Sequence, residues 1–390
     1  MLQSLNRLVG PSFLRVCFLT TSKMPPPQSL ELYVSISAVI RASIATTSIF
    51  KTIPSSLTKT DSSPVTLGDF AAQAIVNIVL SKHFPEDGIV AEEEAEALRQ
   101  DQDQRGKVAG LVWEALSRDE KSLTGQDTFE PKWTSADWEN EESILKAIDL
   151  GTYAGSKEGR FWTLDPIDGT KGFLRGGQYA ICLALIEQGD VKLAVMACPN
   201  LPYEANAEKP KEGDRSGVEG DGSLFVAVQG GGAWQRPISP ATAPLERISM
   251  SSHPLSSSSF CESVEAGHSS QSTNSFVASL LNITAAPVRM DSQAKYASVA
   301  RGDGDIYLRL PIGKGEYQEK IWDHASGKLL CTEAGGKVTD CAGRDLDFRL
   351  GRTLSGNKGV IVARKDLHGE VIKAVKEALE REGRGYLAQD

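Results

Sequence analysis

Cysteine is scarce in this chain and what there is lies scattered. Cys17, Cys182, Cys198, Cys261, Cys331 and Cys341 form no CxxC pair. That excludes a zinc site or a disulfide framework and describes buried thiols of a reducing compartment. Long apolar runs are lacking too: no segment approaches the roughly 20 uninterrupted apolar residues of a membrane-spanning helix, so no membrane is expected among the partners. Positive charge is in deficit, with 42 Lys and Arg against 51 Asp and Glu and a formal net charge of −9. A nucleic acid polymer wants a basic face and is therefore not an expected partner. A small anion stays compatible, because bound cations can invert the local field of an acidic protein.

Acidic residues are missing altogether from residues 1–30, which hold Arg7, Arg15, Lys23 and the run Pro25-Pro26-Pro27. This is the composition of a mitochondrial transit peptide, and it fits equally an untargeted extension or a start at Met24. A cytoplasmic location is expected, with the mitochondrion as the alternative.

What is present is ordinary globular composition, 40% hydrophobic and 24% charged over 390 residues, enough for one large or two ordinary cores. Apolar spacing predicts a helix over 31–53, and Thr66-Leu67-Gly68-Asp69 reads as a capping box opening a second helix through Lys82. A turn at Pro85-Glu86-Asp87-Gly88 leads to a short strand, Ile89 to Ala91, that delivers Glu92; Glu92 to Arg99 also fits a charged helix face. Residues 93–150 read as a polar, helix-rich elaboration on the outside. Phe161-Leu164, Ala180-Ile186, Val191-Cys198 and Leu224-Gln229 describe an antiparallel sheet, with Ala205 to Gly222 as a mobile loop. Helix-like and strand-like segments alternate from about Pro244, dividing the chain into an extension (1–30), an α+β half (31–243) and an α/β half (244–390).

The stretch Trp162-Thr163-Leu164-Asp165-Pro166-Ile167-Asp168-Gly169-Thr170-Lys171-Gly172-Phe173 sets two carboxylates three residues apart. Pro166 is expected to end the strand and turn the chain. Asp165, the Ile167 carbonyl and Asp168 then converge as the oxygen ligands that Mg²⁺ prefers. If a helix opens at Gly169-Thr170, its N-terminus suits a phosphate. An Asp-Pro turn followed by an Asx turn is the plainer reading of the doubled Asp.

The string resembles the signature of the inositol monophosphatase superfamily of Mg²⁺-dependent, lithium-sensitive phosphatases. Glu92-Glu93 and Trp322-Asp323-His324-Ala325 fit the same resemblance. Ser63 to Asp69, Gly267-His268-Ser269-Ser270, Asp291-Ser292-Gln293-Ala294-Lys295-Tyr296, Tyr307 to Pro311 and Tyr317 to Ile321 resemble more narrowly the 3'(2'),5'-bisphosphate nucleotidases. The likeness runs from about Glu31 to Arg364. Ala91 stands where the family usually has Gly, and Gly313-Lys314-Gly315-Glu316 is slightly lengthened.

The resemblance implies a layered αβαβα sandwich, α+β then α/β, with the active site between two halves. It implies two or three Mg²⁺ ions: Glu92, Asp165 and the Ile167 carbonyl on one, Asp165, Asp168 and Asp323 on the second, and a third, weaker one near Glu92 and Asp69. Asp69 and Thr170 would be the catalytic pair, Asp69 accepting the Thr170 proton while Thr170 orients the attacking water; Asp69 also fits a helix cap. Gly169, Thr170, His268, Ser269, Asp291, Ser292, Lys295 and Arg309 would line the substrate pocket, with Asp291 beside the ribose or base. His324 is expected to pack beside the site, since Mg²⁺ rarely takes imidazole. The implied activity is removal of the 3'-phosphate from adenosine 3',5'-bisphosphate, and also from 3'-phosphoadenylyl sulfate, by a monomer in sulfate assimilation. The alternatives are an inositol monophosphatase, an inositol polyphosphate 1-phosphatase, or a catalytically silent nucleotide-binding sensor.

Overall fold

The computed structural model describes residues 29–52, 63–125, 132–204, 222–264 and 270–389. The expected mobile loop from Ala205 falls on residues 205–221, outside the described ones, and so do most of the N-terminal extension and Ile53.

Helices α1 (Leu30–Thr52) and α2 (Ser63–His83) lead to strand β1 (Gly88–Ala91). The outer helices α3 (Glu96–Arg99), α4 (Gln102–Leu116), α5 (Glu120–Thr124) and α6 (Glu141–Asp149) come next. Then follow β2 (Arg160–Asp168), α7 (Thr170–Arg175), β3 (Ala180–Glu187), β4 (Asp190–Pro202), β5 (Gly222–Val228), β6 (Gly232–Pro237) and β7 (Glu246–Ile248). The remainder is β8 (Phe260–Glu262), α8 (Gln271–Leu280), β9 (Val288–Arg289), α9 (Ala294–Arg301), β10 (Ile306–Arg309), α10 (Ala325–Glu333), β11 (Gly336–Thr339), β12 (Val360–Arg364) and α11 (His368–Arg381).

Strands β1 to β7 form one sheet in chain order, and a second runs β11-β12-β10-β8-β9. The first is antiparallel except that β1 lies parallel to β2. Its strands are apolar on both faces: Trp162, Leu164, Leu183 and Val195 pack toward α1 and α2, while Phe161, Cys182, Ala184 and Met196 share a core with α9 and α10. Burial on both faces explains why these strands read as continuous apolar runs. A third core joins the far face of the second sheet to α8 and α11. The layers are α1/α2, sheet, α9/α10, sheet, α8/α11, which is the expected αβαβα sandwich.

Two expectations at the chain's key segments are corrected. Helix α2 begins at Ser63, not at a cap formed by Thr66, because Pro64 sits in the first turn where its missing N–H costs nothing. Asp69 is thus inside the helix and buried, not a cap. Strand β2 does not stop at Pro166: pairing with β3 resumes at Asp168 after an irregularity between Asp165 and Asp168. The extra residue of a bulge is where a proline without a ladder donor fits.

Helix α1, at 23 residues, is long and apolar enough by composition to cross a membrane, against the expectation of no such segment. It is instead a core helix, 78% buried over its most apolar window. Arg41 at its middle is fully buried; its Nη2 pairs with Glu120 at 2.8 Å, it donates to the Ala115 and Arg118 carbonyls, and it stacks over Trp133. Arg41→Ala would strand the Glu120 carboxylate and is expected to cost about 3 to 5 kcal/mol. Chemical denaturation measures it, and a loss below 1 kcal/mol would contradict the pairing's importance.

Candidate active site

Parallel pairing of β1 with β2 aligns Ala91 with Leu164, so Glu92, just past the end of β1, comes beside Asp165 at the start of the β2 irregularity. The Ala91 methyl is buried and fills the room that Gly151 leaves, since a Cβ at Gly151 would lie 2.8 Å from it. Helix α2 comes close enough that a Cβ on Gly68 would strike Ile167 at 2.7 Å. That approach sets Asp69 behind the bulge.

Beyond the bulge, Gly169 turns with φ of 94°, and a side chain there would meet Ser292 Cβ at 2.7 Å. From the other half, the turn at Ser292 (φ 64°) before α9 and the Trp322-Asp323 segment before α10 close the site. The resulting cavity of about 250 Å³ is lined by Glu92, Asp165, Ile167, Asp168, Gly169, Thr170, Asp291, Ser292, Lys295, Arg309 and Asp323. Ten of the sequence-predicted residues besides the Ile167 position therefore converge. His268 and Ser269 lie outside the described residues.

The expected Asp69–Thr170 hydrogen bond is not formed among the described residues. Thr170 stands exposed at the start of α7 while Asp69 is buried. Asp291 faces Arg175, with which it is ion-paired. Lys295 donates from Nζ to the Ser292 carbonyl at 2.8 Å and is buried over Tyr307. Arg309 reaches Glu319 at 2.8 Å and approaches Asp323 at 3.6 Å, while its buried Nε has no hydrogen-bond partner. His324 is fully buried between the Tyr296 hydroxyl (2.8 Å) and Glu319 (3.2 Å), as a packing residue beside the site.

Sequence reasoning missed several contributors. The Gln293 amide N–H donates to Asp168 at 2.7 Å, and the Gln293 side chain donates to the Trp322 carbonyl at 2.8 Å. That residue ties both halves of the carboxylate set together. Glu319 and Tyr317 lay within a segment already singled out, but nothing in the sequence shows that one would hold Arg309 and the other line the cavity, 62% exposed. Arg175 carried no signal at all.

The carboxylates are crowded. Burial, then the charges of Glu92, Asp168, Asp323 and Asp69, push Asp165 well above the usual carboxylate range. Burial likewise raises Asp323 despite the opposing Arg309, and burial with Glu93 and Glu92 raises Asp69. Confinement by the cavity walls, with Glu93 and Asp168, lifts Glu92 to about 7, Lys320 opposing. Glu319 goes the other way: the His324 hydrogen bond and the Arg309 charge overcome burial and hold it at about 2.

The site fits a hard cation on its own evidence. Asp165 Oδ1 is buried with no hydrogen-bond partner, and the gathered donors are carboxylate and carbonyl oxygens, the set Mg²⁺ takes. A carboxyl with a raised folded-state pKa binds its proton more tightly in the folded chain, so it contributes stability that is lost as pH rises toward that pKa. The buried His83, His324 and His368, whose folded pKa values are lowered, act oppositely up to about pH 6.5. The metal-free chain is therefore expected to lose melting temperature from pH 6.5 to 8, and added Mg²⁺ to flatten the profile. Calorimetry with chelator and with Mg²⁺ reads this, and a metal-free profile that rises across that interval would contradict it.

The inositol monophosphatase family model matches residues 31–380. The chain belongs to the inositol monophosphatase family. Within it, a 3'(2'),5'-bisphosphate nucleotidase of Emericella nidulans is 49% identical over 355 residues, covering 90% of this chain and 98% of that protein. One of Schizosaccharomyces pombe is 46% identical over 352 residues, covering 88% and 94%. Among solved structures, a Thermotoga maritima IMPase superposes with a TM-score of 0.53 at 20% identity, over 90% of this chain and 98% of that one. At that identity the likeness speaks for the fold, which is the sandwich described above.

Proposed function

We propose that this family member is a Mg²⁺-dependent 3'(2'),5'-bisphosphate nucleotidase that converts adenosine 3',5'-bisphosphate to AMP and phosphate. The observation that carries the reading is one cavity that joins Glu92, Asp165, Asp168 and Asp323 to the cations Lys295 and Arg309. A single-phosphate substrate needs only the first group; a bisphosphate uses both. The near-full-length similarity to proteins named for this activity supports it. The same pocket would also take 3'-phosphoadenylyl sulfate, and such an enzyme would serve sulfate assimilation.

Glu92, Asp165 and the Ile167 carbonyl would hold one Mg²⁺, Asp165, Asp168 and Asp323 a second, and Glu92 with Asp69 a third. When bound, the ions supply the Lewis acidity that neutralises the phosphoryl charge, activates water and stabilises the leaving oxygen. Thr170 would orient the attacking water and pass a proton to Asp69. Such hydrogen bonds tighten in the bound complex. Lys295 has three donors and gives two of them to main-chain carbonyls, that of Ser292 at 2.8 Å and that of Met290 at 3.4 Å. Lys295, the free Nε of Arg309 and Ser292 would face the phosphate that is kept. Gly169 and Thr170 would edge the one removed, with His268, Ser269 and Asp291 toward the nucleoside.

The five described cysteines are buried thiols outside any disulfide, which supports a reducing compartment such as the cytoplasm, and we take the chain to act as a monomer. The test is the product of adenosine 3',5'-bisphosphate turnover, separated chromatographically. Adenosine 5'-monophosphate formed only with Mg²⁺ is expected. Adenosine 3'-monophosphate would reverse the assigned orientation, and no product would favour a silent sensor.

A further inference from the structure

Two short pieces of chain frame the site from opposite halves. On one side residues 151–153 run beside β1, with Ala91 N–H donating to the Gly151 carbonyl at 2.8 Å and Tyr153 N–H to that of Ile89 at 3.1 Å. On the other, residues 352–354 run against 319–321: Ile321 N–H donates to the Arg352 carbonyl at 3.2 Å, Leu354 N–H to that of Glu319 at 2.8 Å, and Lys320 pairs with Thr353. The first piece supports the strand that ends at Glu92. The second supports the segment that ends at Asp323.

The two pieces meet where Gly155 crosses Gly351. A Cβ on Gly155 would lie 3.0 Å from the Gly351 backbone, and both residues have positive φ, 81° and 89°. This close crossing lets one side chain span the seam. Arg352 donates from Nη1 to the carbonyls of Gly151 (2.9 Å) and Tyr153 (3.2 Å) and from Nη2 to that of Ala91 (2.5 Å). Its guanidinium also lies 4.9 Å from the Trp322 ring centre. Ala91 immediately precedes Glu92, and Trp322 immediately precedes Asp323.

We infer that Arg352 is a positioning residue: it fixes the separation of Glu92 and Asp323 and so sets the divalent-cation affinity of the site. The inference rests on the metal-site reading above. A planar fork with several donors is suited to three converging carbonyls, which a lysine ammonium cannot match in the same geometry. Groups that orient metal ligands from behind typically change metal affinity by about 10- to 100-fold when altered.

The experiment is Mg²⁺ titration calorimetry on the full chain without substrate, comparing the unsubstituted protein, Arg352→Ala and Arg352→Lys well below their melting temperatures. Arg352→Ala is expected to weaken Mg²⁺ binding about tenfold or more. The Mg²⁺ concentration for half-maximal phosphate release should rise in step, while KM for adenosine 3',5'-bisphosphate at saturating Mg²⁺ stays within about twofold. Arg352→Lys should recover part of the affinity, since it keeps the charge over Trp322, and it carries the test if the alanine variant does not fold. Unchanged Mg²⁺ affinity in folded variants, beside normal uptake by the unsubstituted chain, overturns the inference alone. No Mg²⁺ uptake by the unsubstituted chain overturns the metal-site reading and this inference with it.

Discussion

Asp165→Asn is expected to keep the fold, raise the melting temperature of the metal-free chain at pH 8, and abolish nearly all turnover. Asp165 is 2% exposed, one of its oxygens has no hydrogen-bond partner, and the charges of Glu92, Asp168, Asp323 and Asp69 all bear on it. An amide of the same shape removes one of several mutually repelling buried charges, which relieves the empty site. The same change removes the one carboxylate assigned to two ions. Metal ions supply several kcal/mol of transition-state charge stabilisation, and each 1.4 kcal/mol or so is tenfold in rate. The loss in kcat should therefore be on the order of a thousandfold. Steady-state kinetics at saturating Mg²⁺ with a thermal melt of the same sample reads both effects. Near-normal turnover would remove Asp165 from the centre of the site, and a lowered melting temperature would show that its charge is compensated in some other way.

The second large effect concerns the substrate's other phosphate, where Lys295 and Arg309 part company. Lys295 is buried, bonds main-chain carbonyls and pairs with no carboxylate of the metal set. Lys295→Met keeps the packing over Tyr307 and removes the charge together with the two bonds to main-chain carbonyls. Loss of a charge-assisted bond to phosphate costs about 1.5 to 3 kcal/mol, roughly ten- to a hundredfold in kcat/KM. Remote binding energy positions the reacting group, so adenosine 3',5'-bisphosphate should suffer while any inositol 1,4-bisphosphate activity changes much less. Arg309→Ala should harm both substrates, and the nucleotide more, because Arg309 also neutralises Glu319 and stands 3.6 Å from Asp323. Equal losses on both substrates in Lys295→Met would mean that this side chain serves the fold.

Much of this site was legible because its chemistry sits in short local strings. Asp165 and Asp168 stand three residues apart in one string, and their type and spacing point to a cation; Glu92 and Asp323 were legible through the family resemblance of Glu92-Glu93 and Trp322-Asp323-His324-Ala325. The layers were legible for a similar reason, since strands buried on both faces appear as apolar runs. Local reading failed where backbone geometry or distant partners decide. A bulge lets β2 pass Pro166 when the proline alone argues for a stop. Helix α2 starts at Ser63 with Pro64 in its first turn, which makes Asp69 a buried helix residue. Arg352 bonds carbonyls 201 and 261 positions earlier in the chain, and a main-chain carbonyl leaves no residue type to read. The salt bridge of Arg309 to Glu319 likewise appears only when β10 and the segment before α10 are brought together.

The most direct test of the account is phosphate release from adenosine 3',5'-bisphosphate, inositol 1-phosphate and inositol 1,4-bisphosphate, measured in parallel with and without Mg²⁺. The account predicts the highest kcat/KM on the adenosine bisphosphate, with activity on every substrate lost when Mg²⁺ is withheld. A preference for inositol 1-phosphate or inositol 1,4-bisphosphate, or turnover that persists without a divalent cation, would contradict it.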